Sequence, residues 1–265
     1  YGFLGNSFGA PTGTQAGGGR TRGLPTGTKT NIPSTGGMLL AVTYYDEEGR
    51  AVQTKSDNHL GGTDIVDNSY SFAGELVAST RTHTSSPTGT PTTIATRYEY
   101  DHMGRKLATM EEIDGQGEVT LAKLDYNELG QLRQKNLHST DGTAFLQHTK
   151  FAYNERGWLK SSASSQFGME LRYEDGTAPQ FNGNISGQLW GAGGTLPNVF
   201  AYSYDRLNRL IEGKTTAGVA MGETLSYDAM GNIASLSRFD GTTTKTGTYS
   251  YAGNQLTGIT GGALA

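Results

Sequence analysis

One six-residue pattern recurs along this chain and limits what it can fold into. Tyr45-Asp46-Glu47-Glu48-Gly49-Arg50 returns as Tyr100-Asp101-His102-Met103-Gly104-Arg105, as Tyr126-Asn127-Glu128-Leu129-Gly130-Gln131 and as Tyr153-Asn154-Glu155-Arg156-Gly157-Trp158. It returns again as Tyr204-Asp205-Arg206-Leu207-Asn208-Arg209 and Tyr227-Asp228-Ala229-Met230-Gly231-Asn232. Worn copies begin at Tyr70, Tyr173 and Tyr251, and successive tyrosines lie 20 to 31 residues apart, about 26 on average. A period of this size signals a repeated supersecondary unit that needs its neighbours to bury a face.

Each position in the unit has a physical reading. An aromatic or apolar residue often sits two before the tyrosine (Tyr98, Leu124, Phe151, Leu171, Tyr202, Leu225, Tyr249), which is strand periodicity on one face. Asp or Asn follows and can accept hydrogen bonds from a turn backbone. Gly comes three residues later, where a type I turn enters the left-handed region, and at Asn208 the best non-Gly substitute stands there. Then an apolar residue (Val52, Leu107, Leu132, Leu159, Leu210, Ile233) opens a return strand. The unit is a hairpin with a Gly bulge. Consecutive units make a meander of roughly eight or nine hairpins, an all-β structure of tandem antiparallel hairpins in a long curved sheet. The tyrosines are expected to stack across strands. Arg50, Arg105 and Arg209 are expected to pair with acids of neighbouring units or to lie on tyrosine rings.

Composition agrees. Gly (39) and Thr (35) together exceed a quarter of the 265 residues, which disfavours a helical bundle. With no Cys there is no disulfide, Cys-zinc site or thiol nucleophile. The longest apolar run, Met38 to Val42, is far short of a membrane helix. A net charge of −4 argues against nucleic acid as the main partner. Residues 1–37, dominated by Gly, Thr, Pro, Ser and Asn, form a loop-rich lead-in with one or two short strands at most, and residues 38–265 form the repeat segment. A start at Tyr1 rather than Met predicts a piece of a longer protein.

No catalytic, cofactor or metal site is expected. Gly5-Asn6-Ser7-Phe8-Gly9 matches a nucleophile elbow in letters but lacks the flanking strand and helix. Gly213-Lys214-Thr215 imitates the end of a P-loop, yet position 208 is Asn where the first Gly belongs. His59, His83, His102, His138 and His148 form no ligand pair by spacing. Asp57, Asp64 and Asp67 are close in sequence but lack calcium-loop spacing. Glu47-Glu48 and Glu111-Glu112 with Asp114 read as solvated turn charges. Asp46, Asp101, Asp205 and Asp228 recur at one hairpin position; a catalytic residue is needed once, whereas a turn residue is needed in every unit.

These Tyr-Asp-x-x-Gly-Arg hairpins resemble the Rhs/YD-repeat family, which takes in bacterial Rhs-type shell proteins and is related to Tc-toxin C components and teneurins. The resemblance covers about residues 40–260, with nine copies. Asp57-Asn58-His59-Leu60-Gly61-Gly62 and Phe181-Asn182-Gly183-Asn184-Ile185-Ser186 also look like parts of such cores. The resemblance implies repeats wound as a spiralling sheet into a hollow shell that encloses or presents another domain, a toxin in the bacterial members, within a large secreted or cell-surface protein. The partners so implied are other repeats of the parent chain and the enclosed cargo. The self-cleavage element of toxin-bearing members does not carry over, because none of the seven Pro follows Asp. Nor does the stretch after Tyr251 have room for a toxin. Two other functions stay open. One is a carbohydrate-binding or adhesive module using surface glycans through Trp158 or Trp190. The other is a β-helical polysaccharide-active enzyme, which has no use for an antiparallel hairpin in every unit.

Overall fold

The computed structural model describes Phe8, residues 21–176 and residues 178–262. The described residues hold nineteen strands and no helix. They divide into two compact units, one of the described residues up to Asp125 with Lys135–Leu146, the other of Tyr126–Gln134 and the described residues from Gln147 on.

The first unit contains β1 (Gly27–Asn31), β2 (Met38–Tyr45), β3 (Ala51–Asp57), β4 (Thr63–Tyr70), β5 (Leu76–Thr84), β6 (Thr92–Tyr100) and β7 (Lys106–Ile113). β8 (Val119–Tyr126) and β9 (Leu132–Ser139) contribute residues to both units. The second unit continues with β10 (Gln147–Tyr153), β11 (Leu159–Ala163), β12 (Gly168–Arg172), β13 (Gly187–Gly191), β14 (Asn198–Tyr204), β15 (Leu210–Ala217), β16 (Gly222–Tyr227), β17 (Ile233–Phe239), β18 (Thr244–Ala252) and β19 (Gln255–Gly261). Within each unit consecutive strands pair antiparallel, which is the all-β series of tandem hairpins that the repeat predicts.

Few apolar side chains are buried: Tyr44, Val52, Ala108 and Met110 in the first unit, Tyr173 and Leu236 in the second. Order therefore rests on main-chain pairing and on contacts between repeats more than on a deep core.

The registers contain a regularity. In β2–β3, Tyr44 faces Gln53 but Tyr45 faces Ala51, so Val52 is skipped. The same skip omits Val77, Leu107, Lys160, Ile211, Ala234 and Thr257 in the other hairpins with described registers. Each return strand thus carries a bulge opposite the motif tyrosine, in addition to the left-handed residue in the turn. Such bulges leave one residue outside the ladder and increase local twist. The sequence pattern reveals only the turn.

Three further expectations remain. Within the lead-in, β1 pairs with β2 from Gly27–Val42 to Asn31–Met38. Of the Gly5–Gly9 elbow pattern only Phe8 is described; the remainder lies outside the described residues. The Tyr173 copy is not a tight hairpin: β12 ends at Arg172 and β13 begins at Gly187, leaving a long connection.

Candidate functional site

The recurring site is the turn itself. Asp46 Oδ1 accepts the backbone N–H of Glu48 (3.1 Å) and of Arg50 (2.7 Å). Asp101 does the same for Met103 and Arg105, Asn127 for Leu129 and Gln131, and Asn154 for Arg156 and Trp158. Asp205 holds Leu207 and Arg209, and Asp228 holds Met230 and Asn232, all within 2.8–3.1 Å across these later turns. One side-chain oxygen thereby satisfies two main-chain donors that the tight turn cannot pair. Gly49, Gly104, Gly130, Gly157 and Gly231 have φ between 74° and 90°, and Asn208 takes 62°, the region closed to most side chains.

The second carboxylate oxygen binds the arginine of the same turn. Arg50 Nε lies 2.6 Å from Asp46 Oδ2, and the Arg105–Asp101 and Arg209–Asp205 distances are also 2.6 Å. This corrects the expectation of pairing with a neighbouring unit's acid: the turn brings the two residues together at four positions' separation. The stacking half of that expectation is seen at two positions. Arg50 lies 5.1 Å from the ring centre of Tyr70, and Arg209 4.5 Å from that of Tyr227, each ring belonging to the next unit. The Arg209 backbone N–H, against a smaller burial penalty and helped by the guanidinium, holds the Asp205 carboxyl below its usual value. For Asp228 the side-chain amide of Asn232 is the largest cause of a shift in the same direction.

The motif tyrosines reach backwards. Tyr70 Oη donates to the carbonyl of Ala51 (3.0 Å), Tyr100 to Leu76 (2.9 Å) and Tyr153 to Leu132 (3.0 Å). Tyr173 donates to Leu159, Tyr204 to Ile185, Tyr227 to Leu210 and Tyr251 to Ile233, at 2.7–3.0 Å. Tyr45 donates to Pro25 in the lead-in. Ala51, Leu76, Leu159, Leu210 and Ile233 each stand immediately before a bulged residue. The bulge frees a main-chain acceptor and the next repeat's phenol takes it. At these positions the hydroxyl ties one unit to the next, and at Tyr173 the ring also packs on Trp158, with centroids 5.0 Å apart, as the expected ring contact. Burial raises the phenol pKa of Tyr70, Tyr100, Tyr173 and Tyr204 above the ordinary tyrosine value.

Polar side chains also link adjacent turns. Arg50 Nη1 donates to Ser71 O, Gln131 Nε2 to Gly157 O, Arg156 Nη1 to Phe181 O and Asn182 Nδ2 to Asn208 Oδ1. Asn232 Nδ2 donates to Asn254 Oδ1. In the worn copy at Tyr70, Ser71 replaces the turn acid, its hydroxyl accepting the Glu75 N–H. One member of the set is not marked by the motif. Asn58 builds the same turn between β3 and β4, accepting from Leu60 and Gly62, without a preceding tyrosine. Its Asn-x-x-Gly spacing is the signal that identifies it.

The other residues singled out from sequence are placed apart. Asp57 accepts the Leu40 N–H, Asp64 binds Arg81 and His83, and Asp67 accepts from Gln53. Among the described residues no group of three His, Asp or Glu side chains converges. Trp158 has the Arg156 guanidinium 5.0 Å from its ring and Tyr173 tilted at 44°, while Trp190 is tilted 31° to Phe167. These rings are not a coplanar exposed row. No helix of the described residues is long and apolar enough to cross a membrane.

No protein-family model and no curated protein matches the sequence. Solved structures do share the fold. The chain aligns with the crystal structure of TcdB2-TccC3 with Cdc42 over 85% of its length at 13% identity and a TM-score of 0.51. It aligns with TcdB2-TccC3 lacking the hypervariable C-terminal region over 89% of its length, again at 13% identity, with a TM-score of 0.53. In both cases it spans 16% of the matched chain. The chain is thus similar in fold to a stretch of these Tc-toxin chains.

Proposed function

We propose that this chain is a structural wall segment of an Rhs/YD-repeat shell, which encloses or presents another domain, a toxin, in a large secreted or cell-surface bacterial protein. It works by containment, and no residue in it performs a catalytic step. The observation that carries the reading is the recurring clamp from a motif tyrosine to the preceding repeat, made by Tyr70, Tyr100, Tyr153, Tyr173, Tyr204, Tyr227 and Tyr251. Chemistry spent identically in every unit serves continuity of a wall, whereas a binding or catalytic site is built once. The residues from Tyr45 to Gly231 in the turn motif are the structural elements of that wall, Gly27–Asn31 of the lead-in pairs with its first repeat strand, and the partners are further repeats and the cargo. Likeness to TcdB2-TccC3 chains supports the fold on which this rests.

The test uses the full parent protein. Purified parent imaged by electron microscopy should appear as a hollow particle, with one domain resistant to protease until the wall is opened by denaturant. A parent in which these residues form a free-standing module beside an accessible domain would refute containment.

A further inference from the structure

We infer that Asn182 is a self-modifying site, converted spontaneously to aspartate or isoaspartate with loss of its own, shorter bond from the 181–184 turn to Asn208. It is the one Asn-Gly pair in the chain. Three features of its surroundings favour the reaction. The nucleophile is open: the Gly183 N–H donates no hydrogen bond among the described residues, and residue 183 carries no side chain of its own to hinder ring closure, although the Trp158 ring lies 3.3 Å from where a Cβ would stand. The electrophile is polarised, because Asn182 Oδ1 accepts the Asn184 N–H at 3.1 Å. The residue is also exposed, in the long connection between β12 and β13 and outside any strand ladder.

The chemistry balances without a co-reactant other than water. The Gly183 nitrogen attacks Asn182 Cγ, a C–N bond forms, the Cγ–Nδ2 bond breaks, and ammonia leaves carrying the proton from Gly183. Water then opens the five-membered imide at either carbonyl. No oxidation occurs. The product lacks Nδ2, the donor that binds Asn208 Oδ1 at 2.7 Å. A carboxylate there sets acceptor against acceptor. The more distant Asn184 Nδ2, 3.4 Å from the same oxygen, is the bond that remains. The Asn208 backbone is left-handed at φ 62°, so its turn relies on being held. Other motif asparagines differ. Asn127 is followed by Glu128 and Asn154 by Glu155, whose side chains hinder closure.

The test is peptide mapping by mass spectrometry of the purified chain held at mildly alkaline pH, with a parallel sample in urea. Isoaspartate is counted by enzymatic methyl transfer. The product should appear first at 182, at a rate within about tenfold of the unfolded chain, a barrier raised by no more than about 1.4 kcal/mol. Asn182→Gln, which disfavours ring closure, should abolish it with an unchanged circular dichroism spectrum. Hydrogen exchange at residues 205–209 should quicken in the modified fraction. A folded rate slower than that limit, or earlier product at Asn184 or Asn198, overturns the site. Unchanged exchange at 205–209 overturns the consequence.

Discussion

Replacing Tyr227 by Phe isolates the clamp. The phenol donates to Leu210 O at 2.7 Å, directly before the bulged Ile211, and its ring carries the Arg209 guanidinium at 4.5 Å. Phe keeps the ring, the strand preference and the cation contact and deletes one hydroxyl. A net intramolecular hydrogen bond is worth about 0.5–1.5 kcal/mol. Because Tyr227 is only half-buried, water can reach the abandoned carbonyl, so a loss of about 1 kcal/mol is expected. In urea unfolding, with a slope of roughly 1–3 kcal/mol per molar, the midpoint should fall by about 0.3–1 M at constant slope. Tyr227→Leu should lose about 0.5–1 kcal/mol more, by removing the cation–ring contact. Tyr249 is the internal control: its hydroxyl has no partner among the described residues, and Tyr249→Phe should stay within about 0.5 kcal/mol of the parent chain. Equal midpoints for Tyr227→Phe and Tyr249→Phe would refute the clamp.

Other perturbations separate the parts of the turn. Asp205→Ala should lower the melting temperature more than Asp205→Asn, since Asn retains the oxygen that holds Leu207 and Arg209; equal losses would mean that the arginine pair, not the backbone, matters. Asn208→Ala should cost about 1–2 kcal/mol through left-handed strain, and Asn208→Gly should recover most of it in the same denaturation assay. Gly62→Ala should destabilise by about 1–3 kcal/mol, as its Cβ would fall 1.8 Å from the Thr84 carbonyl oxygen and force the backbone apart. Asp205 and Asp228 have carboxyls depressed below 3.8, so their stabilisation is fully present above that value and is lost as pH falls through the folded-state pKa. Asp205→Asn should flatten that acid limb in a midpoint-against-pH series, and an unchanged limb would remove Asp205 from its cause.

What the sequence discloses and what it hides divide along a physical line. The turn is legible because its demands are local: an acceptor at 46, 101 or 228 and a left-handed residue three later are dictated by the chain a few atoms away. Strand alternation is legible for the same reason, as Phe151 and Tyr153 or Tyr202 and Tyr204 show. The clamp is hidden because it joins Tyr227 to Leu210 through a main-chain oxygen, which any residue supplies. Nothing in the letter at 210 announces an acceptor. The skipped residue opposite each tyrosine is hidden too, since Val52, Lys160 and Thr257 share no chemistry. The tyrosine itself was the one available clue. Packing alone would accept Phe, and its insistence on a hydroxyl implies a partner for the hydrogen. Tyr173 shows the converse failure: the letters of the turn survive in worn form, but the chain departs into a long connection, while the phenol still finds Leu159.

Because donor and acceptor of each clamp lie in successive copies and occupy the same place in each, the arrangement is indifferent to how many copies there are. Duplicating or deleting one whole unit of about 26 residues leaves the hydroxyl-to-carbonyl joints on either side with their partners. An insertion within a connection changes only its length, as the spacing of 20 to 31 residues between tyrosines shows, and leaves the joints in place. Genes built this way can lengthen or shorten their product in whole steps at little thermodynamic risk, and a copy that loses its tyrosine becomes the seam at which the assembly would first come apart.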